Sequence, residues 1–282
     1  MKYGIYFGKR RFLLRGILGS ALVFSILWGH AQIITLVNNN SVAEVNTSSQ
    51  SGMFNWSVNG QNQLAQQWFW YRVGATGPEA PINTISAPTI TTPNASTLYT
   101  SYANNSYGVQ IKYSLTGGSA VSGKADMGES IVINNTSASA LDFHFFQYSD
   151  FNLGGTTGGQ TVQLGKNLSG LFNEALQTAP GVAFTETVLT PGANHGEAGL
   201  FNTTLVKLND GTPTTLNDNA GPVGPGDATW AFEWDLSIAP GSSALISKDK
   251  YIQLQPIPEP SSLALISLGL AGCALIKRRR SK

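Results

Sequence analysis

Bulky apolar residues alternate with small or polar ones along most of the chain, in short runs separated by turn-forming residues. A period of two is the signature of a strand with one face buried. The clearest run sets Trp230, Phe232, Trp234, Leu236 and Ile238 against Ala231, Glu233, Asp235 and Ser237. Slipping it by one residue would carry the whole apolar set to the wrong face, so its register is strongly specified. Val109, Ile111, Tyr113 and Leu115 alternate in the same way with Gln110, Lys112 and Ser114. Phe54, Trp56 and Val58 form a shorter set, closed by the hairpin signal Asn59-Gly60. The run 66–73 differs. Alternation puts Trp68 and Trp70 on one face and Phe69, Tyr71 and Val73 on the other. Two apolar faces predict a central strand covered on both sides.

Further strands are predicted at 33–37, 130–133, 141–151, 161–164, 184–189, 200–208, 244–247 and 251–254. The segment 74–93 carries Pro78, Pro81, Pro88 and Pro93. Proline cannot donate to a ladder, so this stretch reads as a loop or as edge strands. Only one stretch has helical spacing. Leu171, Phe172, Ala175 and Leu176 predict one or two turns within 169–178. A long loop is expected up to Asp227, since Pro213, Gly221, Pro222, Gly224, Pro225 and Gly226 crowd it. Ten to twelve strands favour two packed sheets over one open sheet. The expected fold is therefore all-β, a two-sheet jelly-roll-like sandwich over residues 32–255, with Phe54, Trp56, Phe232 and Trp234 in one core.

The two ends depart from this pattern. Lys2, Lys9, Arg10, Arg11 and Arg15 precede an apolar stretch from Gly16 to Trp28, and Gly29-His30-Ala31 follows. A basic region, a short apolar helix and small residues before a cleavage point make a secretory signal. Cleavage is expected between Ala31 and Gln32, so residues 1–31 form the signal peptide; an uncleaved N-terminal anchor is the alternative. At the other end, Pro258-Glu259-Pro260 precedes 16 uncharged, mostly apolar residues, 261–276, and then Lys277-Arg278-Arg279-Arg280. Sixteen residues make a helix of about 24 Å, short for a hydrocarbon core of roughly 30 Å. Snorkelling flanks or local bilayer thinning close such a gap. The basic residues 277–282 would hold the cytoplasmic side.

Separating the ends changes the charge. The whole chain is close to neutral, but ten of its 17 Lys and Arg lie in the end segments. Between them, seven Lys and Arg stand against fifteen Asp and Glu, a net charge of −8. Seven scattered cations do not build a phosphate-binding groove, and nucleic acid is excluded as a partner. The one cysteine, Cys273, lies in the C-terminal apolar run. The body therefore has no disulfide, thiolate metal site or cysteine nucleophile.

The candidate chemistry in the body is sparse. His144 lies in the aromatic run Asp142-Phe143-His144-Phe145 and reads as a hydrogen-bonded structural histidine. His195 lies in a polar stretch, 191–197, without a nucleophile elbow or a His-Glu-x-x-His helix beside it. It reads as a surface-loop residue. Asp142 and Asp150 bracket one strand. Glu233 and Asp235 share the outer face of another, where a solvated face is expected, although such pairs also serve glycoside hydrolysis. Asn209-Asp210-Gly211 and Asn217-Asp218-Asn219 offer hard oxygen ligands but lack a spaced acidic loop. A structural calcium is the only cofactor they admit; otherwise none is expected. Trp68 and Trp70, or Phe143 and Phe145, are potential sugar-stacking aromatics, though their alternation favours a core. No catalytic and no metal-ligating residue is assigned.

Pro258-Glu259-Pro260, the apolar run and the basic end, in that order at the C-terminus, resemble the PEP-CTERM sorting segment of exported bacterial proteins, here 256–282. The resemblance implies a transmembrane helix over 261–276 and reading by exosortase, a membrane protease-transpeptidase that cuts near the Pro-Glu-Pro motif. It further implies signal peptidase, the export machinery and the inner membrane as partners, with exopolysaccharide as a potential one. The protein is expected at the cell surface or in the extracellular matrix, its body a non-enzymatic structural or binding module. A secreted carbohydrate-active enzyme, or a carbohydrate- or calcium-binding module, is the alternative.

Overall fold

Apart from the initial methionine, the computed structural model describes residues 32–254. The signal peptide, Ala31, the Pro-Glu-Pro motif, the expected span 261–276 and the basic residues 277–282 lie outside the described residues. Among the described residues no helix is long and apolar enough to cross a membrane.

Two sheets of nine strands each form the body. The first runs, in spatial order, β1 (Ile33–Asn38), β2 (Ser41–Asn46), β3 (Gly52–Val58), β5 (Gln66–Val73), β11 (Leu141–Asp150), β17 (Ala228–Ile238) and β15 (His195–Leu200). The two-residue strands β4 (Gln61–Asn62) and β6 (Ala80–Pro81) pair with β3 and β5. The second runs β16 (Val223–Gly226), β12 (Gln160–Lys166), β13 (Phe172–Ala179), β14 (Val182–Thr190), β18 (Ser243–Leu254), β10 (Lys124–Asn135), β9 (Tyr107–Gly117), β8 (Thr97–Ala103) and β7 (Thr89–Asn94). The all-β two-sheet sandwich is thus as expected, but the jelly-roll connectivity is not. A jelly roll passes its strands between sheets, whereas β7-β8-β9-β10 and β12-β13-β14 are meanders within one sheet. Strands β7 and β16, each with one proline, lie at the two edges of the second sheet, where a missing amide costs no ladder bond.

The inner faces meet over aromatic rings. Phe151 stacks on Trp230 at 5.3 Å and lies 4.0 Å from Phe184 of β14. Trp56 reaches the same group through Phe151 and Phe184. It therefore joins Trp230 of β17, while Trp234 packs on Phe145 further along. At the centre lie four buried charges. Lys248 and Lys250 of β18 project inward between Glu129 of β10 and Glu186 of β14. This explains two differences in strand length. The predicted pieces 244–247 and 251–254 are one strand, β18, because the lysines between them face partners inside rather than breaking the run. Strand β10 likewise continues through Glu129.

Two other differences have local causes. The predicted helical turns within 169–178 are strand β13. A register shift sets Gly165 opposite Glu174 and Lys166 opposite Phe172. The bulge brings Phe172 and Ala175 to the same buried side at a spacing of three, which mimics a helix turn. Conversely, the strand expected over 200–208 contains a helix, α1 (Thr203–Lys207). Its one turn carries Thr204 Oγ1 to 2.6 Å and Lys207 Nζ to 2.8 Å from the buried Glu197 carboxylate.

Candidate functional site

Strand register on the outer face of the first sheet lines up the ionisable residues. Arg72 of β5, His144 of β11 and Asp235 of β17 stand directly opposite one another. One row along, Glu233 of β17 faces His195 of β15. Side chains two apart on a strand share a face, so both rows project from the same side. Chain segments after α1 and around residues 79–85 cover part of it. Trp68 Nε1 donates to Asn83 Oδ1 at 3.2 Å and Trp70 Nε1 to Asn209 Oδ1 at 3.4 Å. That cover is why β5 is apolar on both faces. It also removes Trp68 and Trp70 as sugar-stacking residues, since both are wholly buried. Phe143 and Phe145 are buried as well.

Glu233 is the centre of the cluster. Its side chain is 1 % exposed, which corrects the expected solvated face. Its Oε2 accepts the Leu216 amide at 2.8 Å, while its Oε1 is buried without a hydrogen-bond partner. Burial raises the carboxyl to about 8, with Asp235 and Glu79 adding to the rise and Arg72 opposing it. Arg72 is committed elsewhere. It donates to Glu79 Oε1 at 2.9 Å, to the Gly74 carbonyl at 2.9 Å and to the Thr214 carbonyl at 3.2 Å. Its Nη2 stands 3.9 Å from Glu233 Oε1, outside hydrogen-bond range.

His144 Nδ1 lies 2.5 Å from Asp235 Oδ1 and 3.8 Å from Glu233 Oε1. Its Nε2 is 3.5 Å from Asp142 Oδ1. His195 is the first residue of β15 rather than part of a free loop. Its Nδ1 is 3.0 Å from Asp218 Oδ1, and its Nε2 is 3.6 Å from Asp235 Oδ2. Asn194 Oδ1 accepts the Asp235 amide at 2.9 Å, which anchors the strand end. An imidazole between carboxylates can pass a proton or, in its neutral form, ligate a metal ion.

The structure thus brings His144, Glu233, Asp235, His195, Asp218 and Asp142 together. Asp150 sits at the far end of β11, where burial and the neighbouring Asp227 raise its carboxyl to about 7. The Asn and Asp loops proposed for calcium spend oxygens on the first sheet, Asn209 Oδ1 on Trp70 Nε1 and Asp218 Oδ1 on His195 Nδ1, and on their own turns. Asp210 Oδ1 accepts from Thr212 N and Oγ1, and Asn217 Oδ1 accepts from Asn219 N. Arg72 and Glu79 went unrecognised in the sequence. The spacing Trp68-x-Trp70-x-Arg72 held the signal, an arginine on a face otherwise filled by indoles. Two cavities of about 510 and 500 Å³ lie elsewhere, one beside Gln66, Asn202 and Asn209, the other beside Gln61, Val121 and Leu254.

Residues 256–280 match the model of the PEP-CTERM protein-sorting motif. The motif implies export, membrane-associated sorting to the cell surface and processing by exosortase. No curated protein matches the chain. Among solved structures, a candidate aldose 1-epimerase from Escherichia coli K12 superposes with a TM-score of 0.55 at 12% identity, over 79% of this chain and 99% of that one. A galactose mutarotase-like protein from Clostridium acetobutylicum gives 0.52 at 9%, over 82% and 97%. A bacterial glucoamylase complexed with acarbose gives 0.55 at 12%, over 86% of this chain and 35% of that one. At such identities the likeness is one of fold: an all-β, aldose-epimerase-like sandwich. This chain couples it to a C-terminal sorting motif.

Proposed function

We propose that the protein is an exported bacterial surface or extracellular-matrix protein, retained and then processed through its C-terminal motif, with a non-catalytic structural or binding β-sandwich as its cargo. The match over 256–280 carries this reading. A body with net charge −8 suits an exterior location without nucleic acid. Non-catalytic use is supported by the commitments of Glu233, which is held by the Leu216 amide and covered by its segment. Mass spectrometry of the mature protein tests the route. Loss of residues 1–31 and of the chain beyond Pro258-Glu259-Pro260 is expected. An intact C-terminus in cells with active exosortase overturns it. A glycan array with and without calcium tests the body for an exopolysaccharide partner.

One observation favours a second reading, a secreted carbohydrate-active enzyme. A carboxyl raised to about 8 lies 3.8 Å from an imidazole nitrogen, a pairing suited to general acid–base work near neutral pH. The sandwich it sits on is one that solved sugar-acting proteins also use. Following the anomers of free aldoses by NMR, with wild type and Glu233→Gln, separates the two readings. Faster interconversion lost in the variant establishes the enzyme, and no acceleration leaves the binding module.

A further inference from the structure

We propose that His144, Glu233 and Asp235 bind a divalent transition-metal ion of the zinc class on the outer face of the first sheet, with His195 close enough to complete the set. The ligand atoms of the first three lie within 4.8 Å of one another. Zinc bonds of about 2.0–2.2 Å place tetrahedral ligand atoms roughly 3.3 Å apart. The His144–Asp235 contact at 2.5 Å must open and the His144–Glu233 separation at 3.8 Å must close, each by less than about 1 Å. His195 Nε2, 3.6 Å from Asp235 Oδ2, can then ligate the same ion or hold Asp235 in place.

A buried acceptor points to a cation. Glu233 Oε1 is buried and aimed at His144 Nδ1, yet nothing donates to it. An acceptor left unpaired in the interior is costly, and a bound ion supplies what is missing. Arg72 cannot supply it. Its Nη2 stands 3.9 Å from Glu233 Oε1, and its Nε and both terminal nitrogens already donate to Glu79 and to backbone carbonyls. Imidazole nitrogen with carboxylate oxygen selects zinc, nickel, copper or iron rather than calcium, which takes six to eight oxygens. The Leu216 amide fixes the Glu233 carboxylate, and Asn194 holds the backbone at Asp235. The inference goes beyond export and stands whether or not the body binds sugar.

The full chain, purified through a histidine-free tag and stripped with chelator, is titrated with Zn²⁺ alone by calorimetry, and with Co²⁺ by visible absorption. One ion per chain is expected, with a cobalt spectrum typical of mixed nitrogen and oxygen ligands. His144→Ala and Asp235→Asn should each weaken binding by more than the roughly 10–100-fold that loss of an outer-shell partner costs. Asp235 is 33 % exposed, so Asp235→Asn provides a variant that disturbs packing little. Circular dichroism of the metal-free variants confirms that they fold. Absence of Zn²⁺ and Co²⁺ binding, unchanged affinity in folded His144→Ala and Asp235→Asn, or tighter binding of Ca²⁺ than Zn²⁺ overturns the assignment.

Discussion

Lys248 and Glu129 face each other across β18 and β10, their charged ends 2.8 Å apart and both side chains wholly buried. Lys250 adds a second cation to the same carboxylate. Burial opposes ionisation of both partners. For Lys248 it prevails and lowers the ammonium pKa. For Glu129 the two lysines outweigh it and hold the carboxyl below its usual range. Breaking such a pair leaves a charge without compensation. Glu129→Gln should destabilise the fold by about 3–5 kcal/mol in urea denaturation. Replacing the charged group as a whole with apolar residues of similar volume should cost much less. If Glu129→Gln unfolds at the wild-type urea concentration, the pair is not an energetic unit.

A close backbone approach makes the second prediction. Gly52 has φ +56°, and a Cβ there would stand 2.3 Å from the Gln67 carbonyl and 2.4 Å from the Trp68 ring. β3 and β5 pair in parallel only at Gly52 and Met53, both opposite Gln67. At an unstrained strand position Gly→Ala gains about 0.4–1 kcal/mol, whereas Gly52→Ala should lose more than that, because its φ is positive and its Cβ has no room. Thermal unfolding of the variant beside Gly60→Ala checks this. Gly60 also has positive φ but open space around it, so it isolates the steric part.

Alternation made the strands legible because most inward positions are apolar. Residues 230–238 appear in β17 in the expected register, and β5 is central and doubly covered. What alternation missed came from polar residues used inside. Lys248 and Lys250 look like a break in β18 until Glu129 and Glu186, far along the chain, are placed beside them. Phe172 and Ala175 look helical because a bulge is invisible in one strand read alone. The outer-face cluster was half legible. His144, Glu233, Asp235 and His195 were each noticed, but their meeting depends on β11, β17 and β15 being neighbours. Neither period nor composition encodes that order. The burial of Glu233 depends on Leu216, which arrives from a stretch that read as plain loop.

The third prediction concerns Trp70. Its ring is buried, packs edge-on to Tyr148 at 6.4 Å and donates to Asn209. Trp70→Ala should cost about 3–5 kcal/mol of stability, as removal of a buried large aromatic does. Any glycan binding by the body should be unchanged in the fraction that folds. Calorimetric unfolding and the glycan array, run on one preparation, separate these effects. A stable variant that loses sugar binding would return Trp70 to the surface.

Asp150 makes the last prediction, and its sign follows from the direction of its shift. Burial, with Asp227 nearby, raises its carboxyl from the ordinary 3.8 to about 7 in the folded protein. Between those values the folded chain holds a proton that the unfolded chain has released. Stability from this group is thus full below about pH 4 and falls as pH rises toward 7. The slope is at most about 1.4 kcal/mol per pH unit. Asp126 and Glu233, raised to about 6 and about 8, slope the same way, while Glu129, held low, slopes the opposite way near its own range. The useful measurement is therefore a difference. Urea midpoints of wild type and Asp150→Asn should lie closest below about pH 4 and separate as pH rises. At pH 8 the variant should be the more stable, because the buried amide never ionises. Parallel pH profiles for the two proteins would mean that Asp150 is ionised in the fold.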